Sequence, residues 1–148
     1  MFRGQSLHNL DSKGRLRLPV RFRDALKDDF KDDSQVVITT WDKCLIAYPV
    51  PIWRQIEEKV MSLPTIDPRV REFMRYFISG AQSCPFDKQG RILIPQYMRQ
   101  FAKLDKEVLL AGMLKSFEIW NKDRWDEEME RTRPAMSDIS EKMAEFGI

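Results

Sequence analysis

The sequence predicts an α+β fold built from one unit used twice, and three observations predict it. The pentapeptide Asp11-Ser12-Lys13-Gly14-Arg15 returns as Asp87-Lys88-Gln89-Gly90-Arg91, 76 positions later (87 − 11). Each copy runs into an apolar-alternating stretch closed by proline, Leu16-Arg17-Leu18-Pro19 and Ile92-Leu93-Ile94-Pro95. Each is then followed by a short helical pattern and two β-rich runs. Self-similarity at a fixed spacing marks a repeated supersecondary unit.

The first element of each unit is a turn. Asp at its first position and Gly at its fourth suit a type I β-turn, because the Asp side chain accepts from backbone amides and Gly takes a positive φ at the exit. Leu7, Leu10 and Phe86 precede the turns, while Leu16, Leu18, Ile92 and Ile94 follow them. Short apolar arms around a Gly turn read as a hairpin. Side chains alternate along a strand, so Leu16 and Leu18 face one way, Arg15 and Arg17 the other, with Lys13 at the tip. Asp11 and Arg15 flank the turn and stand ready to pair, an exposed ion pair of about 0–1 kcal/mol.

Pro19 and Pro95 then open short helices, in which Phe22 and Leu26, or Met98 and Phe101, have helical spacing. The β pairs follow: Val36–Thr39 with Cys44–Tyr48, and Val108–Ala111 with Ser116–Trp120. Each unit ends in a helix carrying a tryptophan. Trp53 and Trp125 are 72 apart (125 − 53), and the change from 76 is a longer loop around Lys31–Ser34 in the first half. Between the units lies a helical insert. Pro51 opens one helix with Ile52, Ile56 and Val60 on a face. Leu63-Pro64-Thr65 breaks it, and Asp67 caps a second helix with Pro68 in its first turn. There Val70, Phe73, Met74, Phe77 and Ile78 form a core stripe that Gly80 ends. A short helix over 138–146, too short to stand alone, must dock or fray. The expected layout is a first module at 5–52, a helical linker at 53–79, a second module at 80–124 and a C-terminal helical segment at 125–148.

At 148 residues the chain has room for one core or two small interlocked ones, and 43% hydrophobic content excludes global disorder. No apolar run approaches a membrane span, and no signal peptide is expected before Met1-Phe2-Arg3-Gly4. Cys44 and Cys84 lie singly in strand-like runs, which reads as buried free thiols in a reducing cytoplasm, with a lone disulfide as the alternative. Net charge is only +2, but residues 1–23 hold Arg3, Lys13, Arg15, Arg17, Arg21 and Arg23 against Asp11 alone, a local net of +5 that leaves −3 for the remainder. Much of that acidity falls in 121–148. A basic end opposite an acidic one suits a directional phosphate binder.

Catalysis finds little support. His8 is the single histidine, no Gly-rich phosphate loop occurs, and one His with two separated Cys is no ordinary zinc set. Ser12 has no histidine placed to activate it. The expectation is a protein that is no enzyme and takes no cofactor or metal.

The chain resembles the MraZ family of bacterial transcriptional regulators. The resemblance rests on Met1-Phe2-Arg3-Gly4, Asn9-Leu10-Asp11-Ser12-Lys13-Gly14-Arg15-Leu16, Tyr48-Pro49, the second motif Asp87–Arg91, and Lys106-Glu107-Val108. It covers nearly the whole chain, apart from the last fifteen or so residues. It implies two modules similar to the SpoVT/AbrB swapped-hairpin fold, forming a pseudo-twofold β-barrel with surrounding helices. It also implies a cytoplasmic, nucleoid-associated protein that closes into homo-oligomeric rings. Such a ring would bind short G-containing direct repeats in double-stranded DNA upstream of its own operon of division and cell-wall genes, usually repressing it.

Carried onto this sequence, the family's DNA-contacting motif falls on Asp11, Lys13 and Arg15, and in the second copy on Asp87 and Arg91, with Gly14 and Gly90 as the turn glycines. The second copy has Gln89, Leu93 and Tyr97 where the first has Lys13, Arg17 and Arg21. The expectation is therefore that the first turn reads DNA and the second is mainly structural. Arg15 would pair with guanine, with Arg3, Lys13, Arg17, Arg21 and Arg23 on phosphates. Two other classes stay open: a ring-shaped interaction scaffold, and an AbrB-like antitoxin half whose segment 134–148 binds a partner.

Overall fold

The computed structural model describes residues 1–148. The first unit comprises β1 (Gln5–Asn9), β2 (Arg15–Arg17), α1 (Val20–Asp28), β3 (Gln35–Trp41), β4 (Cys44–Pro49) and α2 (Val50–Met61). A connecting helix α3 (Pro68–Phe73) runs on into a π-helical turn, Met74–Ile78. The second unit repeats the order as β5 (Gln82–Pro85), β6 (Arg91–Leu93), α4 (Gln96–Phe101), β7 (Glu107–Gly112), β8 (Phe117–Asn121) and α5 (Lys122–Thr132). A 3-10 turn at Arg133–Ala135 then leads into α6 (Met136–Ala144). The mixed α+β architecture and the duplication match the sequence expectation.

The pairing of the strands differs from the expectation in an informative way. The arms of each turn do not form a ladder with each other. Instead β1 pairs antiparallel with β7 of the second unit, and β5 pairs with β3 of the first. The strands after the turns, β2 and β6, pair with one another in a two-stranded ribbon, in register Arg15↔Leu93, Leu16↔Ile92, Arg17↔Arg91. The main sheet runs β1-β7-β8-β4-β3-β5, an open antiparallel sheet with β1 and β5 at its edges. This order reads the same from either end once equivalent strands are exchanged, so the two units are related by an approximate twofold.

The physical reason is burial. A three-residue strand with one inward apolar side chain cannot form a core with its own short partner arm. Crossed over, the arms of both units meet at the centre. Leu16 and Ile92 are fully buried, as are Phe22, Met98, Leu110 and Phe117. One cluster of 20 buried residues draws on both units, so neither has a core of its own. Phe2 seals one side, packed edge-on against Phe22 and Phe117 with ring centroids 5.2 and 5.1 Å apart. Burying side chains of this size contributes roughly 1.5–3 kcal/mol each.

A smaller cluster on the outer face joins Val37, Val50, Trp53 and Phe77. Of the stripe expected in the insert, Phe77 alone is buried, and Val70, Phe73, Met74 and Ile78 are half-buried. The π turn is held by β3: Thr39 Oγ1 donates to the Phe77 carbonyl at 2.6 Å and Thr40 Oγ1 to that of Tyr76 at 3.3 Å. Asp67 caps α3 by accepting from the Arg69 amide, as the sequence indicates. The C-terminal helix α6 leaves Met136 and Ile139 exposed, as is Phe146 just beyond it, and it buries no residue against a core. No helix is long and apolar enough to cross a membrane. Cys44 and Cys84 are free and buried; burial pushes the Cys84 thiol up to about 11, and burial followed by Glu118 raises that of Cys44.

Candidate nucleic-acid interface

Both turns close the same way. The Asp11 amide donates to the Arg15 carbonyl at 3.1 Å, and the Gly14 amide to the Asp11 carbonyl at 3.0 Å. The Asp11 carboxylate accepts from the amides of Lys13 and Arg15, each at 2.9 Å, and its second oxygen accepts from Arg15 Nε at 2.5 Å. In the second copy Asp87 accepts from the amides of Gln89 and Arg91 at 2.9 Å and from Arg91 Nε at 2.8 Å. Gly14 and Gly90 take φ +83° and +73°, which explains the glycine at the fourth position. The Arg15 amide, then its guanidinium and the Lys13 amide, hold the Asp11 carboxyl at about 2, and the same set around Arg91 lowers Asp87.

The β2–β6 ribbon brings the turns together. Arg91 Nη1 lies 3.8 Å from Asp11 Oδ2, so one acid of the first turn faces arginines from both. Leu16 and Ile92 point inward, leaving Arg15, Arg17, Arg91 and Leu93 on the outer face. Arg17 and Leu93 are exposed, while Arg15 and Arg91 are half-buried by their aspartates. Lys13 stands exposed at the tip. The outer face of the ribbon thus carries Arg15, Arg17 and Arg91, with Asp11 pairing to Arg15 and Arg91 and Asp87 to Arg91.

The remaining candidates are dispersed around this surface. Arg21 is exposed, and its Nη2 donates to the Gln5 carbonyl at 2.8 Å while the guanidinium lies over the Phe22 ring. Arg3 is exposed beside the buried Phe2. His8 is half-buried and hydrogen-bonded to Ser6 Oγ at 2.6 Å; burial, then the charge of Arg21, lowers its pKa. Arg23 is placed elsewhere than its position in the basic run suggests. It reaches across to the second turn, where its guanidinium meets Gly90 and lies 5.3 Å from the Phe86 ring centroid.

Sequence reasoning missed Arg99, whose guanidinium covers Gly14 of the first turn. A signal was present, because Arg99 follows Arg23 by the repeat distance of 76 (99 − 23). Beside the first turn, Leu10, Asp11, Ser12, Gly14, Arg99 and Lys106 line a shallow open cleft.

Comparison with known proteins gives a consistent result. The family described as "MraZ protein, putative antitoxin-like" matches residues 1–76 and again 77–146. The chain is 49% identical over 147 residues to the transcriptional regulator MraZ of Syntrophobacter fumaroxidans, covering 99% of this chain and 97% of that protein. It is 45% identical over 148 residues to the same-named protein of Pediococcus pentosaceus, covering all of both. It is 42% identical over 146 residues to that of Desulforamulus reducens, covering 99% of each.

Proposed function

The chain belongs to the MraZ family, and on that premise we propose that it is a sequence-specific DNA-binding transcriptional regulator whose first turn reads the operator. The observation that carries the proposal is the outer face of the β2–β6 ribbon, where Arg15, Arg17 and Arg91 share one face and the adjoining turn exposes Lys13. A two-stranded ribbon has the width to enter a major groove, and an arginine there pairs bidentately with guanine O6 and N7. Asp11 orients Arg15 for this and screens its own charge, since a free carboxylate near phosphates is repelled. Lys13, Arg17, Arg21 and Arg3 hold phosphates around it and set affinity more than sequence preference. The second turn completes the platform: Asp87 and Arg91 brace it, and Arg23 lies on it.

In this reading each unit is a SpoVT/AbrB-like module, and the crossed-over arms form a swapped-hairpin, barrel-like centre. The exchange of β1 and β5 between units and the approximate twofold support that description. A single reading turn per chain binds weakly. Several copies in a homo-oligomeric ring gain by effective concentration on spaced direct repeats. The target is double-stranded DNA with short G-containing repeats upstream of the protein's own operon, a division and cell-wall gene cluster, which it represses from a cytoplasmic, nucleoid-associated pool. No catalytic step is involved.

The test is fluorescence anisotropy of the full chain on the duplex upstream of its own gene and on a scrambled duplex, titrated at several salt concentrations. The proposal expects preference for the upstream duplex and a falling log K with log salt, about 0.9 per phosphate contact. Binding to neither duplex at low salt would overturn it in favour of an interaction scaffold, and equal binding to both would overturn the sequence preference.

A further inference from the structure

We propose that Arg99 is the positioning residue of the reading turn, so that a helix of the second unit sets the geometry of the turn in the first. Gly14 has a positive φ, and the place a Cβ would occupy lies 2.6 Å from Arg99 Cζ and Nε and 2.8 Å from Nη1. The guanidinium therefore rests flat on a bare Cα, a fit that only glycine permits. Arg99 is fixed from behind by its Nε, which donates to the Ile94 carbonyl at 3.0 Å. The Ile94 amide in turn donates to the Gly14 carbonyl at 3.0 Å. Gly14, Ile94 and Arg99 thus form a closed loop of contacts that crosses from one unit to the other, next to Arg15.

The reciprocal clasp exists but is incomplete. Arg23 of α1 covers Gly90 of the second turn, the same pair of positions shifted by 76 (99 − 23 and 90 − 14). Its Nε is buried without a hydrogen-bond partner, and the guanidinium leans on Phe86 instead. A buried donor without an acceptor is costly, so this clasp holds its turn less firmly than the satisfied one. The better clasp belongs to the turn with Lys13, Arg15 and Arg17. Arg99 acts through Gly14 on the direction of Arg15. It is flanked in the cleft by Asp105 and Lys106, which balance one another in charge.

The role assigned to Arg99 in DNA reading rests on the function proposed above, while its hold on the turn does not. The test therefore has two arms. In the first, hydrogen exchange is followed on the DNA-free full chain. Arg99→Lys keeps the charge but removes the planar group. It is expected to speed exchange at the amides of Lys13, Gly14 and Arg15 about tenfold and to leave Gln89, Gly90 and Arg91 unchanged. Arg23→Lys is expected to do the reverse, with a smaller effect. Arg99→Met is used if the lysine variant does not fold, folding being checked by circular dichroism.

In the second arm, the ratio of affinities for upstream and scrambled duplexes is expected to fall about tenfold in Arg99→Lys with the salt slope unchanged. Unchanged exchange at 13–15 overturns the clasp. Equal loosening of both turns overturns it in favour of a general packing role. A retained ratio in Arg99→Lys, with a salt slope lowered by about 0.9 in Arg99→Met, makes Arg99 a phosphate contact instead. If the wild type shows no preference for the upstream duplex, the function fails while the exchange result still decides the clasp.

Discussion

The two turns of this protein share a backbone and differ in what they display. Asp11–Arg15 and Asp87–Arg91 have the same carboxylate bonds to the same relative amides, the same Asp–Arg pair and the same positive-φ glycine. Around them, Lys13 faces Gln89, Arg17 faces Leu93 and Arg21 faces Tyr97 at equivalent positions. The last pair is the most instructive. Arg21 ties its helix to the backbone at Gln5, and the Tyr97 hydroxyl donates to the Gly80 carbonyl at 3.0 Å. A similar tie is made by either residue, but arginine adds a charge to the surface and tyrosine does not. Duplication has preserved the scaffold while the decoration diverged, and the proposed reading of DNA rests on the decoration.

The scaffold half of this comparison breaks most visibly at the ribbon centre. Leu16→Ala and Ile92→Ala each empty a fully buried position in one shared core and are each expected to cost about 2–5 kcal/mol in urea unfolding. Similar costs confirm that the turns are structurally equivalent; a large cost for one alone would mean separate cores.

The decoration half is sharpened by exchange. Swapping Lys13 with Gln89, Arg17 with Leu93 and Arg21 with Tyr97 leaves composition and net charge unaltered. In the exchanged protein, alanine at Arg91 rather than at Arg15 is expected to cost the larger share of operator discrimination, about 1–3 kcal/mol by anisotropy.

A pH experiment probes the shared carboxylate. Asp11 in the folded protein sits at about 2, below its ordinary 3.8, so ionised Asp11 stabilises the fold fully above that ordinary value and ceases to as pH falls through 2. The melting temperature of wild type is expected to exceed that of Asp11→Asn at pH 6, with the gap closing between pH 4 and 2. A gap constant with pH would assign the effect to shape rather than charge. The smallest effect belongs to Lys13→Gln, which mimics the second tip: the salt slope is expected to drop by about 0.9 with the preference between duplexes kept.

Much of this was legible in the sequence. The repeat gave the order of elements, and alternation gave the inward faces of Leu16 and Ile92. Asp67-Pro68 gave the start of α3. The partners of the short strands were not legible, because Leu16 shows the same alternating pattern whether it pairs with its own arm or with Ile92 of the other unit. Only the need of both units for one core decides between them. The clasp was hidden for a related reason. Arg23 and Arg99 are each the fourth residue of a short helix, where a cation reads as solvent-facing. What draws each inward is a bare glycine Cα 67 or 85 residues away (90 − 23 and 99 − 14), a contact that no local period encodes. The Arg17 to Leu93 difference, by contrast, needed no structure to be noticed.

The most direct test of the central claim sets Arg15→Ala beside Arg91→Ala on the upstream and scrambled duplexes at one salt concentration, with folding of both checked by circular dichroism. The two arginines occupy equivalent positions and each pairs with the aspartate of its own turn, Arg91 lying in addition 3.8 Å from Asp11, so with folding intact the comparison reports chiefly the surfaces around them. The account predicts that Arg15→Ala loses the preference for the upstream duplex while Arg91→Ala retains most of it. Equal losses in the two variants, or a larger loss in Arg91→Ala, would contradict it.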